Sequence, residues 1–242
     1  MWLFLCQDAL MFMGFFAAYI SVRIGAGAAW PSPNTPGPEE YPLNIPLTAI
    51  NTFVLICSSV TMVMAVQAAH WKQIKKSVMW LACTVVGGSI FLGVQYYEYF
   101  HLITHDGMGM GRSLFDATFF SLTGFHGIHV FSGVMYLLAL AIAMSMKPID
   151  AHKKENYWLI NLYRLLCFGL TLFLFFGPMK KWPPIPHVLV PIVAGALPYI
   201  MVRGIRWMRT RRDIGDIVEV AGLYWHFVDL IWIILFTLVY LI

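Results

Sequence analysis

Charge is what this sequence of 242 residues is short of. Only 12% of its residues are Asp, Glu, Lys or Arg, about half of the roughly 25% usual in a soluble domain. In their place, 60% of the residues are apolar and 16% aromatic, with a mean hydropathy of +0.72. That balance argues against a soluble globular domain and for a polytopic membrane protein, in which the bilayer sets the architecture. Cysteine is scarce as well: Cys6, Cys57, Cys83 and Cys167 stand singly in apolar stretches. Without CxxC spacing they indicate neither a disulfide framework nor a zinc site, and they read as buried, inert thiols. The first residues, MWLFLCQDALMFMGFFAAYI, lack the basic start and small-residue cleavage site of a signal peptide, and so read as a first retained span. There is no internal repeat and no second domain, and the formal net charge of +4 is too small to suggest a nucleic-acid partner.

What the sequence does have is long hydrophobic runs. Seven segments approach the roughly 20 residues that a span needs: 2–23, 46–69, 77–100, 116–146, 157–177, 184–203 and 220–242. Between the first two lies GAGAAWPSPNTPGPEEYPLNIP, which holds six of the thirteen prolines and is expected to run as an extended surface loop. Another polar loop, HLITHDGMGMGRSLFD, separates the third and fourth spans. The basic residues fix an orientation. Lys72, Lys75 and Lys76, then Lys147, Lys153 and Lys154, then Arg203, Arg206, Arg209, Arg211 and Arg212 occupy alternate connections, eleven on one side. Arg23, Arg112, Lys180 and Lys181 lie on the other, and Arg164 falls within a span. Because positive charge marks the cytoplasmic side, the expectation is an all-α protein of seven transmembrane helices, N-terminus inside and C-terminus outside.

Ionisable groups inside spans are costly, which makes each a functional candidate. They are Asp8, Glu98, His126, His129, Arg164, His226 and Asp229, with Glu219 at a helix entrance. Helical spacing places Glu219, Gly222, His226, Asp229 and Ile233 on one stripe of the last span, with Trp225 and Trp232 on another face. Thr123, His126, Val130, Gly133 and Tyr136 form a stripe on the fourth span, with His129 at its edge, and Gly124, Gly127 and Gly133 permit close helix approach. Gly88, Phe91, Gln95 and Glu98 share one side of the third span, and Asp8, Phe12, Phe15 and Tyr19 one side of the first. Polar groups on such stripes are expected to converge inside a bundle. Their chemistry stays open on this basis. His126 and His129 fit haem or metal ligation, or internal hydrogen bonding or lipid headgroup contact. His226 with Asp229 fits an acid–base pair or a helix-internal polar pair. Arg164 fits snorkelling, an ion pair or a lipid phosphate, and Glu98 an interfacial position. Asp8 is a short carboxylate that cannot snorkel far.

The stretches TFFSLTGFHGIHVFSG and YWHFVDLIWIILFTLVYL resemble the two most recognisable parts of subunit III of the haem-copper oxidases. FLCQDALMFMGFFAAYISVR, INTFVLICSSV and VQYYEYFHLI agree with the same family, in its order and on the expected spans. The resemblance covers residues 1–146 and 217–242 and implies a non-redox subunit. Haem and copper belong to partner subunits I and II, while subunit III packs beside the catalytic subunit, holds phospholipid and supports proton uptake and sustained turnover. It also implies a multi-pass protein of the bacterial cytoplasmic membrane. The family's intramembrane carboxylate falls on Asp8, where glutamate is usual. Glu98, His126, His129, Glu219, His226 and Asp229 match positions of the same residue type, and Glu98, His126, His129, Arg164, Glu219, Trp225, His226 and Asp229 form the candidate lipid-binding or polar-network set. No catalytic, cofactor-binding or metal-ligating residue is implied in this chain. The seven-helix members have two spans before the one that starts here, whereas residues 147–216 here add a transmembrane hairpin. That hairpin is expected either to fill the place of the earlier pair or to dock a further subunit or supercomplex partner. Competing readings are subunit III of a quinol oxidase, an accessory subunit of a nitric-oxide reductase, and a stand-alone membrane cytochrome or transporter using His126, His129 and His226.

Overall fold

Hydrocarbon offers no partner to a backbone amide, so a chain of this composition satisfies its hydrogen bonds within helices. The computed structural model describes residues 2–27, 30, 43–105, 107–109, 113–146, 200–208 and 213–242. The helices are α1 (Trp2–Ala26), α2 (Ile45–His70), α3 (Ile74–Thr104), α4 (Leu114–Ser145) and α5 (Ile214–Phe236), the last continuing into a π-helical turn, Thr237–Leu241. Residues 200–208 are also helical, and there is no strand among the described residues. Five helices, counting α5 with its π turn as Ile214–Leu241, are long and apolar enough to cross a membrane. At 31 and 32 residues, α3 and α4 span about 46–48 Å at 1.5 Å per residue, more than the roughly 30 Å of hydrocarbon.

These five helices correspond to the expected spans 2–23, 46–69, 77–100, 116–146 and 220–242, each starting or ending a few residues away from the hydropathy limits. The largest difference is at α5, which begins at Ile214, so Glu219 sits in its second turn rather than at its entrance. The expected span 157–177 lies outside the described residues, as does 184–203 except for 200–203. Short polar residues start the helices. The Leu47 amide donates to Asn44 Oδ1 (3.1 Å), the Asp116 amide to Ser113 Oγ (3.0 Å), and the Gly215 amide to Asp213 Oδ1 (3.4 Å), each satisfying one orphan donor of a helix N-terminus. Between α2 and α3 the turn closes through Lys72 N–H to Ala69 O and Gln73 N–H to Ala68 O, both 2.9 Å, with Lys72 in the left-handed region at φ 59°.

The chain divides into two compact units, and α2, α3, α4 and α5 each contribute a segment to both. The first unit comprises Met1–Val60, Val86–Gly133 and Gly222–Ile242. Most of the expected stripes form its core: Asp8, Phe12 and Tyr19 of α1, Phe91, Gln95 and Glu98 of α3, and Thr123, His126 and Val130 of α4 are buried, whereas Phe15 is half-buried, as is Tyr136 in the second unit. Small residues set the helix spacing. A Cβ on Gly87 would lie 2.8 Å from Ser58 Cβ, and one on Gly133 would lie 3.2 Å from the Trp225 ring. The second unit comprises Thr61–Val85 and Val134–Ala221. In it, Ser77 donates to the Ala65 carbonyl (2.9 Å) and the Thr61 and Thr84 hydroxyls meet at 2.8 Å. One expectation fails: Cys6, Cys57 and Cys83 are exposed rather than buried, and Cys167 lies outside the described residues. In a bilayer an apolar thiol loses nothing by facing lipid, so burial within the chain is not required of it.

Candidate functional site

Four carboxylates lie buried in the first unit: Asp116 accepts from the Gly109 amide at 3.2 Å, and Asp8, Glu98 and Asp229 each face a neighbouring helix. Asp8 of α1 faces His129 of α4, Oδ2 to Nε2 3.7 Å, with side-chain exposures of 10% and 13%. The other ring nitrogen, Nδ1, lies 2.8 Å from the Phe125 carbonyl. A carbonyl only accepts, so Nδ1 carries a proton. Nε2 therefore presents a lone pair to the carboxylate unless the pair holds one more proton. At 3.7 Å the two are beyond hydrogen-bonding distance, and Asp8 Oδ2 has no hydrogen-bond partner among the described residues. Phe12 packs edge-on against His129 at 5.2 Å and Phe125 lies at 5.0 Å, which excludes water from most of the imidazole. On α5, the Tyr224 hydroxyl reaches Ser132 Oγ (2.8 Å) and the His129 carbonyl (3.1 Å).

Glu98 of α3 is not interfacial: it is only 5% exposed. Thr48 Oγ1 lies 3.1 Å from its Oε1, while Gln95 Nε2 (3.4 Å) and Tyr240 Oη (3.0 Å) donate to Oε2. Tyr240 reaches it from the π turn, whose wider winding carries the residue into the core, where Val239 and Tyr240 are both buried.

Asp229 and His226 of α5 meet through a third residue. The Ser59 hydroxyl of α2 donates to Asp229 Oδ2 at 2.6 Å, and His226 Nδ1 lies 3.3 Å from Ser59 Oγ. A serine hydroxyl of the neighbouring helix thus joins the two. The stripe containing them is not the deepest face of α5. Trp225 and Trp232 are almost fully buried, whereas Ile233 is 43% exposed. The Trp225 indole donates to Ser58 Oγ (3.1 Å) and the Trp232 indole to Thr52 Oγ1 (2.9 Å). Burying a flat aromatic with its one N–H satisfied gains more than burying a carboxylate, which explains the preference.

His126 is wholly buried, between Trp232 stacked at 5.0 Å, Phe91 at 6.0 Å and Phe12 at 6.5 Å. Glu219 lies in the second unit, where its Oε2 is 3.2 Å from His70 Nε2 in a half-exposed pair. Gly215 permits the approach, since a Cβ there would meet the His70 ring at 2.7 Å. Arg164 lies outside the described residues. Among those residues, no three of His, Cys, Asp and Glu come together in a metal-holding group.

Thr48, Thr52, Ser58, Ser59 and Tyr240 are therefore site residues that the search for charged groups passed over. The α2 members recur at intervals of 4, 6 and 1, and a search for hydroxyls on one helical face would have found them.

Buried polar groups tied across helices in this way define a polytopic membrane subunit whose polar interior joins helices together. Compared with known sequences, residues 1–182 match the family model described as cytochrome c oxidase subunit III. The chain is 30% identical over 240 residues to the cytochrome c oxidase subunit 3 of Synechocystis sp., covering 99% of this chain and 73% of the relative. It is 27% identical over 241 residues to that of Alkalihalophilus pseudofirmus (99% and 84%), and 27% identical over 240 residues to the cytochrome bo(3) ubiquinol oxidase subunit 3 of Pseudomonas aeruginosa (99% and 82%). The chain belongs to the cytochrome c oxidase subunit III family, and it is a multi-pass membrane protein.

Proposed function

We propose that this chain is the non-redox subunit III of a proton-pumping cytochrome c oxidase of a bacterial cytoplasmic membrane. In this reading it packs on the catalytic subunit I of a complex that also holds subunit II, binds phospholipid, and supports proton uptake and sustained turnover. The observation that carries the proton role is the Asp8–His129 pair, 3.7 Å apart and largely shielded, with Nδ1 committed to a carbonyl. Such a pair exchanges one proton without moving the helices that hold it. Asp8→Asn removes that proton position while keeping nearly the same volume. In the purified complex, the variant is expected to assemble and start turning over normally, then lose activity sooner or show altered proton uptake. Unchanged uptake together with an unchanged inactivation rate refutes the role.

A second reading, subunit III of a quinol oxidase, is supported by the 27% identity to the cytochrome bo(3) ubiquinol oxidase relative. The complex that co-purifies with this chain separates the two. Oxidation of reduced cytochrome c, with a copper-binding cysteine pair in subunit II, supports the first; oxidation of quinol alone supports the second. Nitric-oxide reduction without oxygen reduction points to an accessory subunit of a nitric-oxide reductase. Residues 147–216, read as a hairpin beside a family-like core of 1–146 and 217–242, are proposed to fill the place of the family's earlier helix pair, with docking of a further subunit as the alternative. Under docking, their deletion releases a specific polypeptide from the complex, and an unchanged subunit composition refutes docking.

A further inference from the structure

We infer that the core of the first unit holds an internal water-binding site anchored by His126. A neutral imidazole carries one N–H donor and one lone-pair acceptor. Among the described residues, neither nitrogen of His126 has a hydrogen-bond partner, although the residue is wholly buried. Its surroundings are rings: Trp232 stacked against it with a 28° interplanar angle, and Phe91 and Phe12 edge-on at 88° and 66°. An aromatic face accepts an N–H weakly, so the box can satisfy the donor nitrogen. It cannot satisfy the acceptor, because the N–H of Trp232, the indole stacked on it, is given to Thr52 Oγ1 at 2.9 Å. A small hydroxylic donor is what the remaining nitrogen requires.

Two buried side chains whose carbonyl oxygens are unpartnered among the described residues are tied to the Phe91 segment of α3. Gln95 stands one turn further along the same buried face of α3, and Asn51 of α2 donates its amide to the Phe91 carbonyl at 3.2 Å. Both side chains are buried, and Gln95 Oε1 and Asn51 Oδ1 have no hydrogen-bond partner among the described residues. The core of the first unit therefore leaves one lone pair and two carbonyl oxygens short of a donor. Water has two hydrogens to give and is the smallest molecule that serves such a set; buried waters typically make about three hydrogen bonds. A metal ion would satisfy the lone pair but not accept this aromatic box, which offers no carboxylate or thiolate. Since Gln95 Nε2 also donates to Glu98 Oε2 at 3.4 Å, a water between His126 and Gln95 makes a continuous polar path from the imidazole to that carboxylate.

The test is a structure of the assembled complex containing this chain, at a resolution that shows ordered water. The expected result is a density peak within hydrogen-bonding distance of one His126 nitrogen and of Gln95 Oε1 or Asn51 Oδ1. A His126 whose nitrogens both bond protein groups, with no such peak, overturns the inference. His126→Phe removes the lone pair, and loss of the peak is expected. A peak that persists in that variant refutes His126 as the anchor. If the variant does not assemble, the parent structure alone decides.

Discussion

Tyr240→Phe isolates one hydrogen bond in the most densely tied part of the chain. The substitution deletes only the hydroxyl and leaves the ring against Phe236 (5.5 Å), Phe119 (6.1 Å) and Trp232 (6.4 Å). What is lost is the donor 3.0 Å from Glu98 Oε2. The remaining donors are poorer substitutes. Gln95 Nε2 is longer, at 3.4 Å, and the single proton of Thr48 Oγ1 is shared between Glu98 Oε1 and the Asn44 carbonyl at 3.0 Å. Leaving a buried acceptor short of a donor costs about 1–3 kcal/mol. Measured side-chain hydrogen bonds in membranes average about 0.6 kcal/mol and reach about 1.7. With weak replacements on hand, the expected loss is about 1.5 kcal/mol, or roughly tenfold in the folding equilibrium. Reversible unfolding in mixed detergent micelles reads this directly, and a cycle with Glu98→Met isolates the pair. Removing both partners with near-isosteric apolar groups should cost less than the two single changes together by about 1 kcal/mol. Additivity within about 0.5 kcal/mol shows that Tyr240 contributes packing alone, and refutes the reasoning.

Ser59→Ala removes both the donor to Asp229 and the partner of His226, so a loss of about 1–3 kcal/mol is expected in the same unfolding assay; Ser59→Cys, a weak donor, should recover little of it. Gly87→Ala places a methyl 2.8 Å from Ser58 Cβ and should destabilise by about 1–3 kcal/mol through overpacking. Gly14→Ala meets nothing within 4 Å and should be neutral or slightly stabilising in a helix interior, so equal losses at the two positions argue against the α2–α3 close approach.

The helices were legible because apolar runs of span length have few alternatives in a bilayer. The stripes Asp8–Phe12–Tyr19, Phe91–Gln95–Glu98 and Thr123–His126–Val130 were legible because a polar group on a helix must face its neighbours or lose its partners, and all three are buried. The α5 stripe was read less well. Charge drew attention to Glu219 and Asp229, whereas the indoles of Trp225 and Trp232 occupy the deepest positions. The partners of the carboxylates escaped for a different reason. Ser and Thr in apolar helices commonly bond their own backbone, as Ser21 and Thr118 do here, so a hydroxyl in the sequence does not announce a long-range contact. Ser59 and Thr48 make one because α5 and α3 bring Asp229 and Glu98 to them, which is a property of packing and not of local spacing.

That packing also explains why these carboxylates are tolerable at all. The donors that the described residues give Glu98 and Asp229 are hydroxyl and amide groups, plus a histidine reached through a serine hydroxyl. A neutral donor satisfies a carboxylate oxygen without the desolvation that a buried lysine or arginine would add. It also ties two helices at a point where apolar side chains alone gain little, since lipid is as apolar as they are. Glu98 and Asp229 hold α2, α3, α5 and the π turn in register, whereas Asp8 and His129 bring α1 and α4 together at 3.7 Å without a hydrogen bond.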